Sequence, residues 1–327
     1  MSATLRSTPA VISGYNLVPP GRRAGGKVED EVDSTVRVSQ MNARRSSTGR
    51  LVRTYLWSQI WKERFFRLVQ SLFTGVWLGI LSQSDLESVD DAYFVGVDGK
   101  RKGPIDYTNA EYNKRGLFEW ERRAIEAHFP AGGSIALMAA GGGREVLALR
   151  RLAFRVQAWE CQPELVAAAN ELLVGEGFEP SVFYAPRNTA PTGTERYDGV
   201  VIGWGSYMLV PGRNRRIAML RELRTRVDEG SPILLSFFAR RPGDSQLRVA
   251  AQVGNVGRRL LGRERLEVGD FLEPNFVHRF TEDEIASELA AGGFELKSYA
   301  VTPYGHAIAL AGGLKPPPAG NSIQQPQ

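Results

Sequence analysis

The residues best suited to chemistry form one short run: Ala139, Ala140, Gly141, Gly142 and Gly143, followed at once by Arg144 and Glu145. An apolar stretch, Ile135 to Ala139, leads into it. Small side chains let a backbone approach a ligand closely. A helix opening at Arg144 would present free N–H groups and the positive end of its dipole to an anionic group. Seventeen positions after Gly143 stands Glu160, at the end of a second apolar stretch, Phe154 to Glu160. A carboxylate at the tip of a second strand is placed to accept hydrogen bonds from a ribose diol. Together these residues point to the binding of a nucleoside-bearing ligand.

Other chemistry-bearing residues are few. The three histidines are His128, His278 and His306. The two in the C-terminal part, His278 and His306, are candidate catalytic bases, because a base within hydrogen-bond reach can remove a proton from an acceptor atom. His128 closes a helix, where a cation suits the dipole. Cys161 is the single cysteine, with no base apparent beside it, and reads as a small apolar residue or a backbone contributor to the ligand site. Metal-ligand spacing is absent. Tyr107, Tyr112, Trp120, Trp204 and Tyr207 are candidates for a substrate pocket or for facing a cation. The arginines from Arg213 to Arg226 give one helix a basic stretch that reads as a solvated face.

The elements that must position these groups follow from periodicity. From Ser134 on, strands alternate with helices: strands Ile135–Ala139, Phe154–Glu160, Ser181–Ala185, within Tyr197–Gly205, and Pro232–Phe238, with helices Arg144–Leu152, Pro163–Leu173 and Arg213–Glu229 between. That alternation predicts a layered α/β domain with a mainly parallel sheet. Thr281 and Glu284 make a capping box for a helix Glu282–Ala291, closed by Gly292 and Gly293. The stretches FELKSYAV and YGHAIALA are separated only by Thr302 and Pro303, which permits an antiparallel hairpin and no crossover. The expected fold is therefore a seven-stranded, mainly parallel sheet with an antiparallel last strand and helices on both faces, preceded by a helical segment. Residues 51–130 supply that segment, with Leu56, Ile60, Phe65, Leu68 and Leu72 at helical spacing and a second helix over about Thr108–His128. The stretch 240–275 reads as an insert, either a lid or a surface excursion.

Composition bounds the rest. The 327 residues are 43% hydrophobic and 24% charged, as in ordinary globular chains. Eight basic and four acidic residues fall in the first fifty positions, against thirty-three and thirty-two in the remainder, so the net charge of +5 sits mainly at the N-terminal end. Nucleic acid is therefore a poor expectation for the body of the chain. Residues 1–50 and the proline-rich 314–327 read as disordered tails. No apolar run reaches the length of a membrane span, and Leu72–Leu81 reads as a core or interfacial helix. With no basic-then-apolar leader and one cysteine, the expectation is a soluble, cytoplasmic protein.

Two cofactor classes share the strand–glycine–helix geometry. A dinucleotide expects Gly-x-Gly-x-x-Gly or Ala, and counted from Gly141 the third small position falls on Val146. S-adenosylmethionine needs no pyrophosphate cradle. The stretch 134–312 resembles the class I (Rossmann-like) S-adenosylmethionine-dependent methyltransferases. IALMAAGGGR is similar to that family's first motif, with Ala139, Gly141 and Gly143 on its three glycine positions. AWECQPELVAAAN matches the second-strand motif, SVFYAPRN the third, YDGVVIGWGSYMLV the fourth, and HRFTEDEIASELAAGGFELKSY the closing helix with its sixth strand. The resemblance implies S-adenosyl-L-methionine as cofactor, held by Ala139, Ala140, Gly141, Gly142, Gly143, Glu160 at the ribose, Cys161, Asn188 at the adenine, Gly203 and Trp204. It places Trp204 and Tyr207 at the mouth of the active site, where the aromatic residues Tyr107 and Tyr112 join them as the substrate-pocket candidates for a small-molecule methyl acceptor. Leu137 stands where the family has an acid, and Ala139 where it has its first glycine. These departures motivate the alternative of a methyltransferase-like binding scaffold; a nucleic-acid methyltransferase is the third reading.

Overall fold

The computed structural model describes residues 49–96, 103–190 and 193–313. The expectations for residues 1–48 and 314–327 lie outside the described residues. The chain divides into two units, 1–61 and 62–327. Helix α1 (Arg50–Ile80) begins in the first, where the rings of Trp57 and Trp61 lie 5.4 Å apart.

Chain order in the second unit runs from the rest of α1 through α2 (Gln83–Phe94), α3 (Ala110–Asn113) and α4 (Glu119–His128). The alternating part follows: β1 (Ser134–Met138), α5 (Arg144–Arg151), β2 (Arg155–Glu160), α6 (Pro163–Gly175), β3 (Val182–Tyr184) and β4 (Gly199–Ile202). Then come a 3-10 turn (Tyr207–Leu209), α7 (Arg213–Arg224), β5 (Pro232–Ala239), α8 (Ser245–Leu260), β6 (Asp270–Leu272), β7 (Phe276–Phe280), α9 (Glu282–Gly292), β8 (Phe294–Ala300) and β9 (Gly305–Ala311).

The parallel strands stand in the order β3-β2-β1-β4-β5. Antiparallel β9 pairs with β5 from Pro232 to Phe237, and β8 pairs with β9 across the expected hairpin. Those seven strands are the predicted sheet. Two more were not foreseen. Beyond Phe237, the end of β5 pairs with β7 (Phe238 with Arg279, Ala239 with Phe280), and β6 pairs antiparallel with β7. The extra hairpin exists because β9 ends its pairing at Phe237 and leaves the last two β5 residues an open edge.

Helices cover both faces, as alternation along β1 shows. Ile135 and Leu137 join one buried cluster with Val146, Leu147, Leu149, Ala169 and Leu172. Ala136 and Met138 join the other, with Met219, Leu220, Leu223, Ile285 and Leu289. A strand buried on both faces has no polar alternation, which is why β1 and β4 read as unbroken apolar runs. The predicted terminators hold as well: Thr281 and Glu284 form the capping box, and Gly293 closes α9 with φ 89°.

Three expectations change. The helix foreseen over Thr108–His128 is two pieces, α3 and α4, because the chain turns at Gly116 with φ 81° and restarts where the Glu121 carboxylate accepts the Phe118 N–H. The arginine stretch is a solvated face only in part: Arg213, Arg215 and Arg221 are exposed, whereas Arg216, Arg224 and Arg226 are buried. Arg216 is fully buried, donating to both carboxylate oxygens of Glu288 at 2.9 and 2.7 Å and to Glu267 at 2.8 Å. Arg224 is buried too, with its guanidinium on the carbonyls of Val227 and Gly312. Thirdly, of the core and interfacial readings of Leu72–Leu81, the core one holds for one face of α1 only: Ser71, Thr74, Gly75, Leu78 and Gly79 are buried, while Phe65, Leu68 and Leu72 are exposed. A Cβ on Gly75 would sit 2.7 Å from the Ala250 carbonyl of α8, so only glycine allows this approach.

Candidate active site

Parallel sheets of this order open a crevice outside the C-terminal strand ends, where the chain direction of the crossovers switches between β1 and β4. The glycine run lies there. From Met138 the chain turns through Ala139 (φ 56°), Gly141 (φ 53°) and Gly143 (φ 91°) into α5. Ala139 therefore holds a left-handed conformation that glycine adopts more easily. Two glycines are required by contact. A Cβ on Gly142 would fall 1.7 Å from the Tyr107 carbonyl oxygen, and one on Gly203 2.2 Å from that of Ala139.

Glu160 closes the turn from the side. It is buried, and its Oε2 accepts the Gly141 N–H at 2.8 Å. Its Oε1 accepts the N–H groups of Cys161 and Gln162 at 2.7 and 3.0 Å. An ionised carboxylate accepts about four hydrogen bonds, so Oε2 retains a lone pair for a ligand hydroxyl.

The crevice encloses about 1140 Å³, counting its open mouth. Of the residues proposed from the sequence, Tyr107, Tyr112, Ala139, Ala140, Gly141, Gly142, Glu160, Cys161, Asn188 and Trp204 line it. Gly143 and Gly203 do not; they shape the turn from behind. Asn188 sits in a left-handed turn, φ 58°. Cys161 is no nucleophile: burial, with Glu160 beside it, pushes its thiol up to about 12.

Three proposed residues are placed elsewhere. His278 is fully buried on β7, its Nδ1 2.7 Å from Asp270 Oδ1 and its ring against Phe280. A ring enclosed in this way cannot meet a substrate. His306 stacks on Trp120 with ring centroids 4.6 Å apart and lies 2.8 Å from the Tyr304 carbonyl, outside the crevice lining. Tyr207 is fully buried and donates to Glu288 at 2.7 Å. No histidine is among the described residues that line the crevice.

The structure adds groups that spacing did not reveal. Arg144 is buried and donates to both oxygens of Glu121 at 2.8 Å, to Glu145 at 2.7 Å and to the Gly116 carbonyl at 2.9 Å. Its guanidinium lies 4.2 Å from the Phe118 ring centre. Glu145 in turn accepts the Trp204 N–H at 3.0 Å. Three buried polar atoms of the lining, Tyr112 Oη, Asn113 Oδ1 and Trp204 Nε1, have no protein partner. Buried polar atoms are normally satisfied, so each of these is open to a hydrogen bond with a ligand or a water. They sit on two elements 90 residues apart in sequence, which hid their convergence.

Helix α2 braces the rim. Asp91 accepts from Gln162 and Arg187, both of the lining. Its neighbour Asp90 is buried with Oδ1 unpartnered, and burial raises its carboxyl to about 7. The native state then keeps a proton that the unfolded chain loses near pH 3.8, so stability falls as pH rises from about 4 to about 7. Asp90→Asn is expected to remove that slope and to gain up to about 4 kcal/mol at neutral pH, read from denaturant unfolding at several pH values. An unchanged slope would show that another group titrates there.

No protein-family model matches the chain, and no curated protein matches it. Solved structures that match include an S-adenosylmethionine-dependent methyltransferase from Methanosarcina mazei, 17% identical, covering 60% of this chain and 99% of that one, with a TM-score of 0.46. Another is CalS10 with S-adenosylmethionine bound, an amino pentose methyltransferase from Micromonospora echinaspora: 16% identity, 65% and 99% coverage, TM-score 0.44. A third is the CcbJ methyltransferase of Streptomyces caelestis: 14% identity, 68% and 96% coverage, TM-score 0.45.

Proposed function

We propose that the chain is an S-adenosylmethionine-dependent methyltransferase acting on a small-molecule acceptor. One observation carries the reading: a buried carboxylate, Glu160, bonded to the N–H of a glycine turn at the switch point of the sheet, with a lone pair left for a ribose hydroxyl. The unpartnered atoms Tyr112 Oη, Asn113 Oδ1 and Trp204 Nε1 fit further polar groups of the same ligand or of its acceptor. Leu137, where the resembling family has an acid, is fully buried in the core, so a charge there would be enclosed in apolar side chains. Glu145 is the acid at the crevice wall, paired there with Arg144.

When bound, the cofactor supplies an electrophilic methyl group on a sulfonium. The chain's part is to hold and align. The turn from Ala139 to Gly143 and the first N–H groups of α5 receive the carboxylate of an amino-acid moiety. Glu160 orients the ribose, and Asn188 lies at the rim where an adenine edge would rest. Tyr107, Tyr112 and Trp204 form an aromatic wall that favours a cation and excludes water. Alignment of nucleophile and methyl carbon then supplies most of the rate. No histidine is assigned as a base. Tyr112 Oη, buried and unpartnered, is the group best placed to hydrogen-bond the acceptor.

A nucleic-acid substrate is less well supported. Around α7, Arg213 and Arg215 pair with Ser287 and Glu264, while Arg216 and Arg224 are buried. The test is calorimetric titration with S-adenosylmethionine. Binding in the micromolar range by the native protein, weakened on the order of 100-fold by Glu160→Ala, is expected, since the variant loses hydrogen bonds to a charged group and loosens the turn. No binding by the native protein would leave the scaffold reading.

A further inference from the structure

Helix α1 packs the wrong way round for a helix facing water. Its small and polar residues, Ser71, Thr74, Gly75 and Gly79, are turned inward with Leu78, and its large apolar ones are turned out. Phe66 and Phe73 are 60% and 64% exposed, and Phe65, Val69, Leu72, Val76, Trp77 and Ile80 are exposed with them. At 100° per residue these positions span about 140° of the helix, centred opposite Ser71. The contact with α8 is a small-residue seam: a Cβ on Gly75 would meet the Ala250 carbonyl at 2.7 Å, and one on Gly257 would meet Gly79 Cα at 3.2 Å. Small residues inward and large apolar residues outward is the arrangement of helices whose outer solvent is lipid. Leu68–Ile80 contains no ionisable residue and is about 20 Å long. On α8, Val256 and Leu260 extend the apolar surface.

Both ends of this surface are cationic. Lys62, Arg64 and Arg67 precede the apolar run and are exposed, outnumbering Glu63, which pairs with Arg67 at 4.0 Å. At the other end Arg258 donates to the Leu78 carbonyl at 2.9 Å and Arg263 to that of Ile80, with Arg259 and Arg265 exposed beside them. Of the acids at this end, Glu264 is paired with Arg215 and Asp85 lies near Arg263. A second copy of the chain laid on this face, parallel or antiparallel, would set cations against cations. A layer of anionic headgroups would neutralise them at about 1 kcal/mol per residue, equivalent to roughly fivefold in affinity. No single helix among the described residues is long and apolar enough to cross a membrane.

We propose that the outer face of α1, from Lys62 to Ile80, seats in the interfacial layer of an anionic lipid bilayer, with the helix lying along the surface. Arginines at both ends reach the phosphates, and the phenylalanines with Trp77 enter the acyl boundary. The inference is independent of the cofactor and stands whether or not S-adenosylmethionine binds.

The test is flotation of the full chain with vesicles of phosphatidylcholine mixed with phosphatidylglycerol, and with phosphatidylcholine alone. The native protein is expected to float with the anionic vesicles, and less so as salt rises. Phe66→Ser, Phe73→Ser and Trp77→Ser combined should weaken flotation on the order of 100-fold. Arg259→Glu with Arg265→Glu should weaken it at least tenfold on anionic vesicles only. Should the triple variant fail to fold, as read from its melting curve, the double variant at two exposed positions decides alone. Absence of native flotation, or equal flotation of correctly folded variants, overturns the proposal. So does a native dimer in light scattering that the triple substitution converts to monomer, because a second copy would then cover the face.

Discussion

Gly142→Ala is expected to abolish measurable binding of S-adenosylmethionine, at least about 100-fold in affinity, and to lower stability by about 1–3 kcal/mol. The added methyl carbon would lie 1.7 Å from the Tyr107 carbonyl oxygen and 2.3 Å from Asn113 Nδ2. Those two atoms are hydrogen-bonded to each other at 2.7 Å, so the methyl lands on an existing bond. Neither partner can step aside at low cost. The carbonyl is backbone, and Asn113 is buried. Relief must come from moving the segment that carries Tyr107, Tyr112 and Asn113, all of which line the crevice, or from shifting the turn itself. Either motion separates the aromatic wall from the N–H groups of α5. Calorimetric titration measures the affinity, and a denaturant midpoint measures the stability.

The matched control is Ala139→Gly in the same turn. Ala139 has φ 56°, which costs an alanine roughly 1–2 kcal/mol relative to glycine. Removing its methyl relieves that strain while enlarging the unfolded ensemble, and the two effects nearly cancel. Binding should survive, with stability changed by less than about 1 kcal/mol. Equal affinities for native protein and Gly142→Ala would mean that the turn is not the ligand cradle.

The difference between these two positions marks how far the sequence could be read. Strand, turn, helix and acid were legible because each has a local signature: an unbroken apolar run, a cluster of small residues, and a carboxylate at the next strand tip. The capping box at Thr281 and the short link at Thr302–Pro303 were legible for the same reason. What failed depended on contacts distant in sequence. That Gly142 is fixed by Tyr107, 35 residues earlier, has no local signal. Nor does the burial of Arg216, whose partner Glu288 lies 72 residues away and whose own segment looks like a solvated basic face. His278 attracted attention as a rare residue type, yet rarity says nothing about exposure, and Asp270 encloses it. In α1 the apolar spacing was read correctly as a helix. Which face turns inward has no local signal, because two glycines and a close backbone contact with α8 set it.

Arg144 carries the largest expected effect on stability. Arg144→Met should destabilise the fold by about 3–5 kcal/mol near neutral pH, because two buried carboxylates, Glu121 and Glu145, lose their shared cation. Methionine fills most of the space beneath Phe118 and keeps the loss electrostatic in origin. The pH dependence identifies the cause. Burial already raises the Glu121 carboxyl above its usual 4.5, and the Arg144 hydrogen bonds counteract that rise. Without Arg144 the carboxyl moves further up, while in the unfolded chain it stays near 4.5. Above that value the folded variant holds a proton that the unfolded variant releases, so the variant's stability falls as pH rises. The deficit relative to native protein should therefore be larger at about pH 8 than at about pH 5. Denaturant unfolding at the two pH values measures it. Adding Glu121→Gln should recover part of the loss, since one of the uncompensated charges is then gone. The same variant should weaken ligand binding even at acid pH, because Glu145 would no longer be held between Arg144 and the Trp204 N–H. A deficit independent of pH would show that the wall of the crevice is held by packing around Phe118 and not by its charges.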